Sequence, residues 1–437
     1  MKHLFFYFVS LLLLSGLAAC GTGGGGGTTD PGSSRGTSIG NEGGVTSGST
    51  TTSSTQTQAA SDYPGYNLNL GTPDGNGAQY VKRYDNTSYT WQLSSPLYFW
   101  GLKLTGYTNN CVFIRVNTTC DSGAGPSIGQ PSQEVLDAWS NGWTGKGVNI
   151  LMEDFLHDKD KFHGVITSLI AYRYAPGANL YGLNIANSTF PISSNPIVSL
   201  DNQTYQGSVL KLGVVNVSYV ADLNLLTNKN SGWTDAQLAQ AKIDYAPSAL
   251  IITNRFQNTA YNNQVNYSDA VITKAAGNDK LAAHQEPLNK ALTNVPDVQN
   301  RLLIVGALDK AGSTTSPVDM ASYSNTAGTD TAVNSRFLLA SGTVPFDDGS
   351  LVVNGYGVTA TGNMGTSYAA PRVAGMVAIV RSKFPNLTAS QTATIMLNTA
   401  RYDTLSCYTT KAGCDKTIYG NGEASLSRAL APVGKLH

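Results

Sequence analysis

From residue 126 onward the chain alternates short, nearly continuous apolar runs with stretches of helical periodicity, and this rhythm constrains the fold more than any other feature. Val148 to Met152, Val214 to Val220, Leu250 to Ile252, Ala270 to Ile272 and Leu302 to Val305 read as strands. Between them Val165, Ile166, Leu169 and Ile170, and later Val373, Met376, Val377 and Val380, recur at helical spacing. Strands that are apolar on both faces must be covered on both faces. The expected fold class is therefore α/β, with a mostly parallel central sheet between helical layers, preceded by a small β-rich N-terminal region. Functional groups in such folds sit beyond the carboxyl ends of the strands.

The chain before residue 126 follows different rules. Residues 20–62 are mostly Gly, Ser and Thr with very few hydrophobes, so they cannot bury enough apolar surface to order themselves. A Gly/Ser coil of that length has an end-to-end distance of roughly 35 Å, which suits a tether. Residues 63–125 are rich in aromatics, among them Tyr80, Trp91, Trp100 and Phe113, set among Gly and Asn turn residues. That pattern predicts short strands in a small β module or pro-region. Residues 126–437 then form the large domain.

The start of the chain carries an address. Met1-Lys2-His3 is followed by an apolar run from Leu4 to Leu17 that is too short for an ordinary spanning helix and reads as a secretory signal over residues 1–19. Leu17-Ala18-Ala19-Cys20 is similar to the bacterial lipobox, which implies lipid on Cys20; the alternative is an ordinary signal peptide with an incidental cysteine. Gly21, where an Asp would favour the inner membrane, points to the outer membrane and the cell surface. Two or more acyl chains on one residue anchor stably. The other four of the five cysteines fall in two local pairs, Cys111 with Cys120 and Cys407 with Cys414, at spacings unlike those of zinc or redox sites. Disulfides in an oxidising compartment are the simplest reading, and buried free thiols are the alternative. Charge agrees with export. With 28 Lys+Arg against 28 Asp+Glu the net charge is zero, which argues against a nucleic-acid partner.

The chemistry concentrates in four segments. Gly365-Thr366-Ser367-Tyr368-Ala369-Ala370-Pro371 opens a helix, where a serine is by default an N-cap and Pro371 is tolerable near the first turn. The whole string resembles the nucleophile block of the subtilisin-like serine proteases, the subtilases. A serine hydroxyl needs a base, and the base needs an orienting acid. Of the five histidines, His163 begins an apolar helix that ends before Ala175-Pro176-Gly177-Ala178, and this is similar to the subtilase histidine block. His157 is the rival base; His284 sits in a polar segment without a motif. Gly145 to Asp154 looks like the family's aspartate strand and places Asp154 at its carboxyl end, with Asp158 and Asp160 as nearby loop rivals. Ala275-Ala276-Gly277-Asn278 resembles the turn that supplies an oxyanion donor, and Val217-Ser218-Tyr219 the strand that pairs with substrate backbone. Ala321-Ser322-Tyr323-Ser324-Asn325 and Tyr419-Gly420-Asn421-Gly422 resemble further blocks of the family.

The resemblance implies a subtilisin-like three-layer sandwich and a serine endopeptidase. In that reading Ser367 attacks, His163 moves the proton, Asp154 orients the imidazole and Asn278 stabilises the oxyanion. A surface binding module that kept the fold but lost turnover is the competing function. The implied partners are protein or peptide substrates and, through Cys20, a membrane; the chain is expected to be a monomer that needs no cofactor. Structural calcium, frequent in relatives, shows no oxygen-ligand loop in the sequence. Three departures stand out. Phe155-Leu156 replaces the family's Ser/Thr and Gly after the aspartate, Val165-Ile166 stands where the family usually has a second histidine two residues after the first, and His163 follows Asp154 by only nine positions. Nine residues reach roughly 30 Å when extended, so the pair can meet, and a trimmed, more open site is expected on that side. The tether also predicts self-release from the membrane.

Overall fold

The computed structural model describes residues 132–154, 156, 163–185, 197–199, 204–219, 249–250, 252–261, 263–344, 350–353, 356–359, 363–410 and 413–431, together with four short earlier strands. Cys20, Cys111, Cys120, His157, Asp158 and Asp160 lie outside the described residues, as do the signal, the tether and most of the Asp154–His163 connection.

The early strands are β1 (Ala78–Lys82), β2 (Tyr89–Leu93), β3 (Tyr98–Phe99) and β4 (Leu102–Thr105). β1 pairs with β2. The main sheet is built from β5 (Asn149–Asp154), β6 (Asn179–Asn184), β7 (Val198–Ser199), β9 (Val214–Val217), β11 (Val271–Ala275), β12 (Leu302–Leu308) and β13 (Phe337–Ser341). A separate parallel pair consists of β8 (Leu210–Lys211) and β10 (Val265–Asn266). The main-sheet order is β13-β12-β11-β9-β5-β6-β7, and every pairing is parallel except β6 with β7. The chain leaves β5 toward β6 and returns on its other side at β9, so the order reverses between β5 and β9. That reversal opens a crevice outside the carboxyl ends of these two strands.

Strand residues alternate between the two covered faces, as an almost wholly buried sheet requires. On one face Ile150, Met152, Val214, Leu303 and Val305 pack in a single cluster with helices α1 (Gln133–Ser140) and α2 (His163–Tyr174). On the other, Leu151, Val215, Val217, Leu302 and Ile304 meet α3 (residues 249–250 and 252–256), α4 (Pro287–Thr293), α5 (Pro296–Asn300) and α6 (Thr331–Asn334). The first face is completed by α7 (Thr366–Lys383), α8 (Ala389–Asn398) and α10 (Leu426–Leu430), with α9 (Lys416–Tyr419) just before the last. The expected three-layer arrangement is present.

One strand expectation fails. Leu250 and Ile252 lie in helix α3 rather than in a strand. Ala249, Ile252 and Phe256 are buried on one side while Leu250 is 54% exposed, which is the 3.6-residue period of a helix lying on a sheet. A three-residue apolar run cannot reveal that period.

A hairpin of β15 (Ser350–Val353) and β16 (Tyr356–Thr359) lies between β14 (Thr343–Val344) and β17 (Asn363–Met364), which pair with each other just before α7. β4 adds to the hairpin through β15, with Val352 opposite Thr105 and Val353 opposite Leu104. The predicted N-terminal strands thus include one that pairs with the segment leading into the nucleophile block.

Candidate active site

Asp154 is the last residue of β5 and is fully buried. His163 is the first residue of α2 and remains 11% exposed. Its Nδ1 lies 2.8 Å from Asp154 Oδ1 and 3.0 Å from Oδ2, so the short connection does bring the two groups together. Thr167, one turn further along α2, donates its hydroxyl to Asp154 Oδ2 at 2.9 Å. The carboxylate is thereby held from two points on one helix. Thr167 was not foreseen, although its position four residues after His163 places both on one helical face.

Ser367 is the second residue of α7 and is buried. Gly375 explains how α7 comes so near α2: a Cβ there would stand 2.4 Å from Tyr174 Cβ and 3.1 Å from the Ala171 carbonyl. The His163 and Tyr368 rings meet with centroids 5.5 Å apart. Pro371 lies well inside the helix rather than in its first turn. The bond its missing N–H would have made is the one to the Ser367 carbonyl, four residues back. Ser218 Oγ fills that vacancy, donating to the Ser367 carbonyl at 2.9 Å while accepting from Asn216 Nδ2 at 2.7 Å. Proline therefore frees a helical carbonyl for a cross-link between α7 and the residue following β9.

The Ala276-Gly277-Asn278 turn follows β11. Gly277 has φ +112°, and a Cβ there would collide with Asn325 Nδ2, so only glycine fits. Asn278 Oδ1 accepts from Thr366 N at 2.9 Å and from Thr366 Oγ1 at 3.0 Å, which turns the Nδ2 end toward Gly365. A Cβ built on Gly365 would lie 3.6 Å from Asn278 Nδ2 and 3.7 Å from Ser367 N. Two nitrogens thus converge on one small space beside Ser367, and a pair of donors so placed can stabilise an anionic oxygen. Asn325, fully buried, braces the turn: it accepts from the N–H groups of Asp279 and Leu281 and donates to the Ala276 carbonyl at 2.9 Å. Asn289 donates to the same carbonyl at 3.0 Å. Asn325 stood in a segment recognised from sequence without a role, because nothing local links it to residues nearly 50 positions earlier.

Of Val217, Ser218 and Tyr219, only Ser218 reaches Ser367, at its backbone carbonyl; Val217 and Tyr219 pack on the opposite face of the sheet. β9 is paired on both sides, with β5 and β11, so any pairing with a substrate falls to residues beyond Val217.

Glu153, the neighbour of Asp154, is equally buried but faces the other way. It pairs with Arg255 of α3 and accepts from Tyr267 Oη at 2.9 Å and Tyr219 Oη at 3.3 Å. Burial pushes the Glu153 carboxyl up against the pull of Arg255 and the two hydroxyls. Burial likewise raises Tyr219 and Tyr267, with the Glu153 charge adding to it. For Arg255 burial is the largest influence and lowers the pKa, but the charges of Glu153 and of Tyr219, Tyr267 and Tyr261 together outweigh it and the net shift is upward.

Cys407 and Cys414 form the expected disulfide, with an S–S distance of 2.01 Å. Among the described residues no group of three or more His, Cys, Asp or Glu side chains could hold a metal ion.

Residues 174–422 match the model of the Subtilase family, Peptidase_S8. The chain belongs to the subtilase family of serine endopeptidases. The match begins after Asp154 and His163, so their pairing is contributed by the geometry rather than by the family match. Mycosin-4 of Mycobacterium tuberculosis is 29% identical over 199 residues, covering 44% of this chain and 40% of the relative. The chain thus matches about two fifths of that protein's length. Among solved structures, the MycP3 protease from the type VII (ESX-3) secretion system is 20% identical, with 68% of this chain and 85% of that chain covered and a TM-score of 0.36. A serine protease of Aeromonas sobria is 17% identical, with 72% and 64% covered and a TM-score of 0.41.

Proposed function

We propose that this subtilase is an active endopeptidase that hydrolyses peptide bonds through Ser367, His163 and Asp154, with Asn278 as oxyanion donor. The observation that carries the reading is the His163 Nδ1 contact with the buried Asp154 carboxylate at 2.8 Å, on a helix packed directly against the one that bears Ser367. With Nδ1–H donated to Asp154, the imidazole presents Nε2 as the base. Ser367 Oγ gives its proton to Nε2 as it attacks the scissile carbonyl, and the resulting imidazolium is stabilised by Asp154. The negative charge that develops on the carbonyl oxygen meets Asn278 Nδ2 and the Ser367 N–H. The imidazolium returns its proton to the leaving amine; water then repeats the sequence on the acyl-enzyme.

The substrates are proteins or peptides. Residues 1–19 direct export, Cys20 carries lipid, and the Gly/Ser/Thr segment holds the enzyme off the outer membrane at the cell surface, where it processes neighbouring proteins or its own tether. Cleavage of an unfolded protein substrate by the full chain, lost in Ser367→Ala, tests the activity. The N-terminus of the cell-associated protein tests the anchoring: acyl-Cys20 is expected, and an unmodified N-terminus elsewhere in both wild type and Ser367→Ala would overturn it.

A further inference from the structure

Glu153 and Arg255 form an ion pair sealed in the apolar layer beneath the sheet, with 0% and 3% of their side chains exposed. Such a pair is seldom retained for stability, since desolvating both charges costs about as much as their attraction returns. Its position is informative. Glu153 immediately precedes Asp154 and lies opposite Val217, the last residue of β9. Tyr219, whose hydroxyl donates to Glu153 and accepts from Arg255 Nη2 at 3.4 Å, immediately follows Ser218. Ser218 in turn donates to the carbonyl of Ser367. The cluster therefore grips, from the far face, the two strand ends on which the site is assembled. Tyr267, bonded to the same carboxylate, lies before β11 and is not adjacent to any site residue.

We infer that Glu153 and Arg255 are positioning residues that fix Tyr219 and, through it, the segment against which substrate lies beside Ser218. The inference rests on the endopeptidase reading above. Neither side chain touches the reacting atoms. They act by holding Ser218 and Tyr219, which follow Val217, the last residue of β9 paired with β5 and β11.

Tyr219→Phe and Tyr267→Phe provide the test, because each removes one hydroxyl bonded to the same carboxylate. Steady-state hydrolysis of a set of fluorogenic peptides by the full chain is measured alongside Tm. Tyr219→Phe is expected to raise KM roughly tenfold, the lower end of the scale of one hydrogen bond to a charged group, with kcat near wild type. Tyr267→Phe should lower Tm with KM within about twofold of wild type. The apolar double variant Glu153→Leu/Arg255→Met should keep its Tm and lose at least about tenfold in kcat/KM, as a displaced binding segment would. Should the double variant fail to fold, the tyrosine pair decides alone. An active wild type whose two tyrosine variants show the same KM overturns the positioning role and leaves the protease reading intact. A wild type that hydrolyses nothing overturns both.

Discussion

Asp154 and Glu153 are consecutive, carboxylic and fully buried, yet they belong to different chemistries. The pleat of β5 turns Asp154 toward α2, where its partners are an imidazole still 11% exposed and one hydroxyl. Glu153 points into the opposite layer, where a guanidinium and two phenols enclose it. A carboxylate that meets a titratable, partly exposed ring can orient a proton carrier. One locked to a permanent cation can only hold structure. What separates the two roles is the face of the strand, set by a one-residue step in sequence.

The sharpest way to break this contrast is Asp154→Asn. It should lower kcat about 10⁴-fold with little change in Tm, because it leaves the imidazole in the wrong tautomer; a loss under about tenfold would place Asp154 in the same structural class as Glu153. Asn278→Ala should cost about 10²- to 10³-fold in kcat with KM little changed, by the subtilisin precedent for removing one oxyanion donor. Gly365→Ala should cost roughly 10²-fold by filling the space between Asn278 Nδ2 and Ser367 N. Since that backbone is extended (φ 174°) and the added Cβ makes only ordinary contacts, Tm should hold.

The smallest effect on turnover comes from a third buried carboxylate. Burial pushes Glu423 up to about 7, with Arg401 opposing and Glu134 adding to the shift. A carboxyl raised in the folded state from 4.5 to about 7 binds its proton there after the unfolded chain has lost it. Its contribution to stability is present below pH 4.5 and is lost by pH 7, a decline of about 3 kcal/mol. Glu423→Gln should flatten that decline in urea titrations between pH 4.5 and 7 and leave kcat unchanged.

Much of the site was legible because several residues answer constraints local to the chain. Gly277 needs its positive φ, and Asp154 ends an apolar strand. What escaped reading is what depends on distant partners. Arg255 meets Glu153 across 102 positions, and Asn325 holds the Ala276-Gly277-Asn278 turn from 49 away. Pro371 was recognised, but its consequence, a carbonyl handed to Ser218, requires knowing that β9 ends beside α7. The run Leu250 to Ile252 misled because three apolar residues fit a buried strand as well as one flank of a helix.

In the proposed mechanism Ser367 is a nucleophile activated by His163 and Asp154. The most direct measurement is the rate at which a fluorophosphonate modifies the folded full-length protein, with the adduct located by peptide mass. An adduct on Ser367 is expected, forming at least about 10³-fold more slowly in His163→Ala and in Asp154→Asn. No adduct on Ser367, or equal rates in all three proteins, would contradict it.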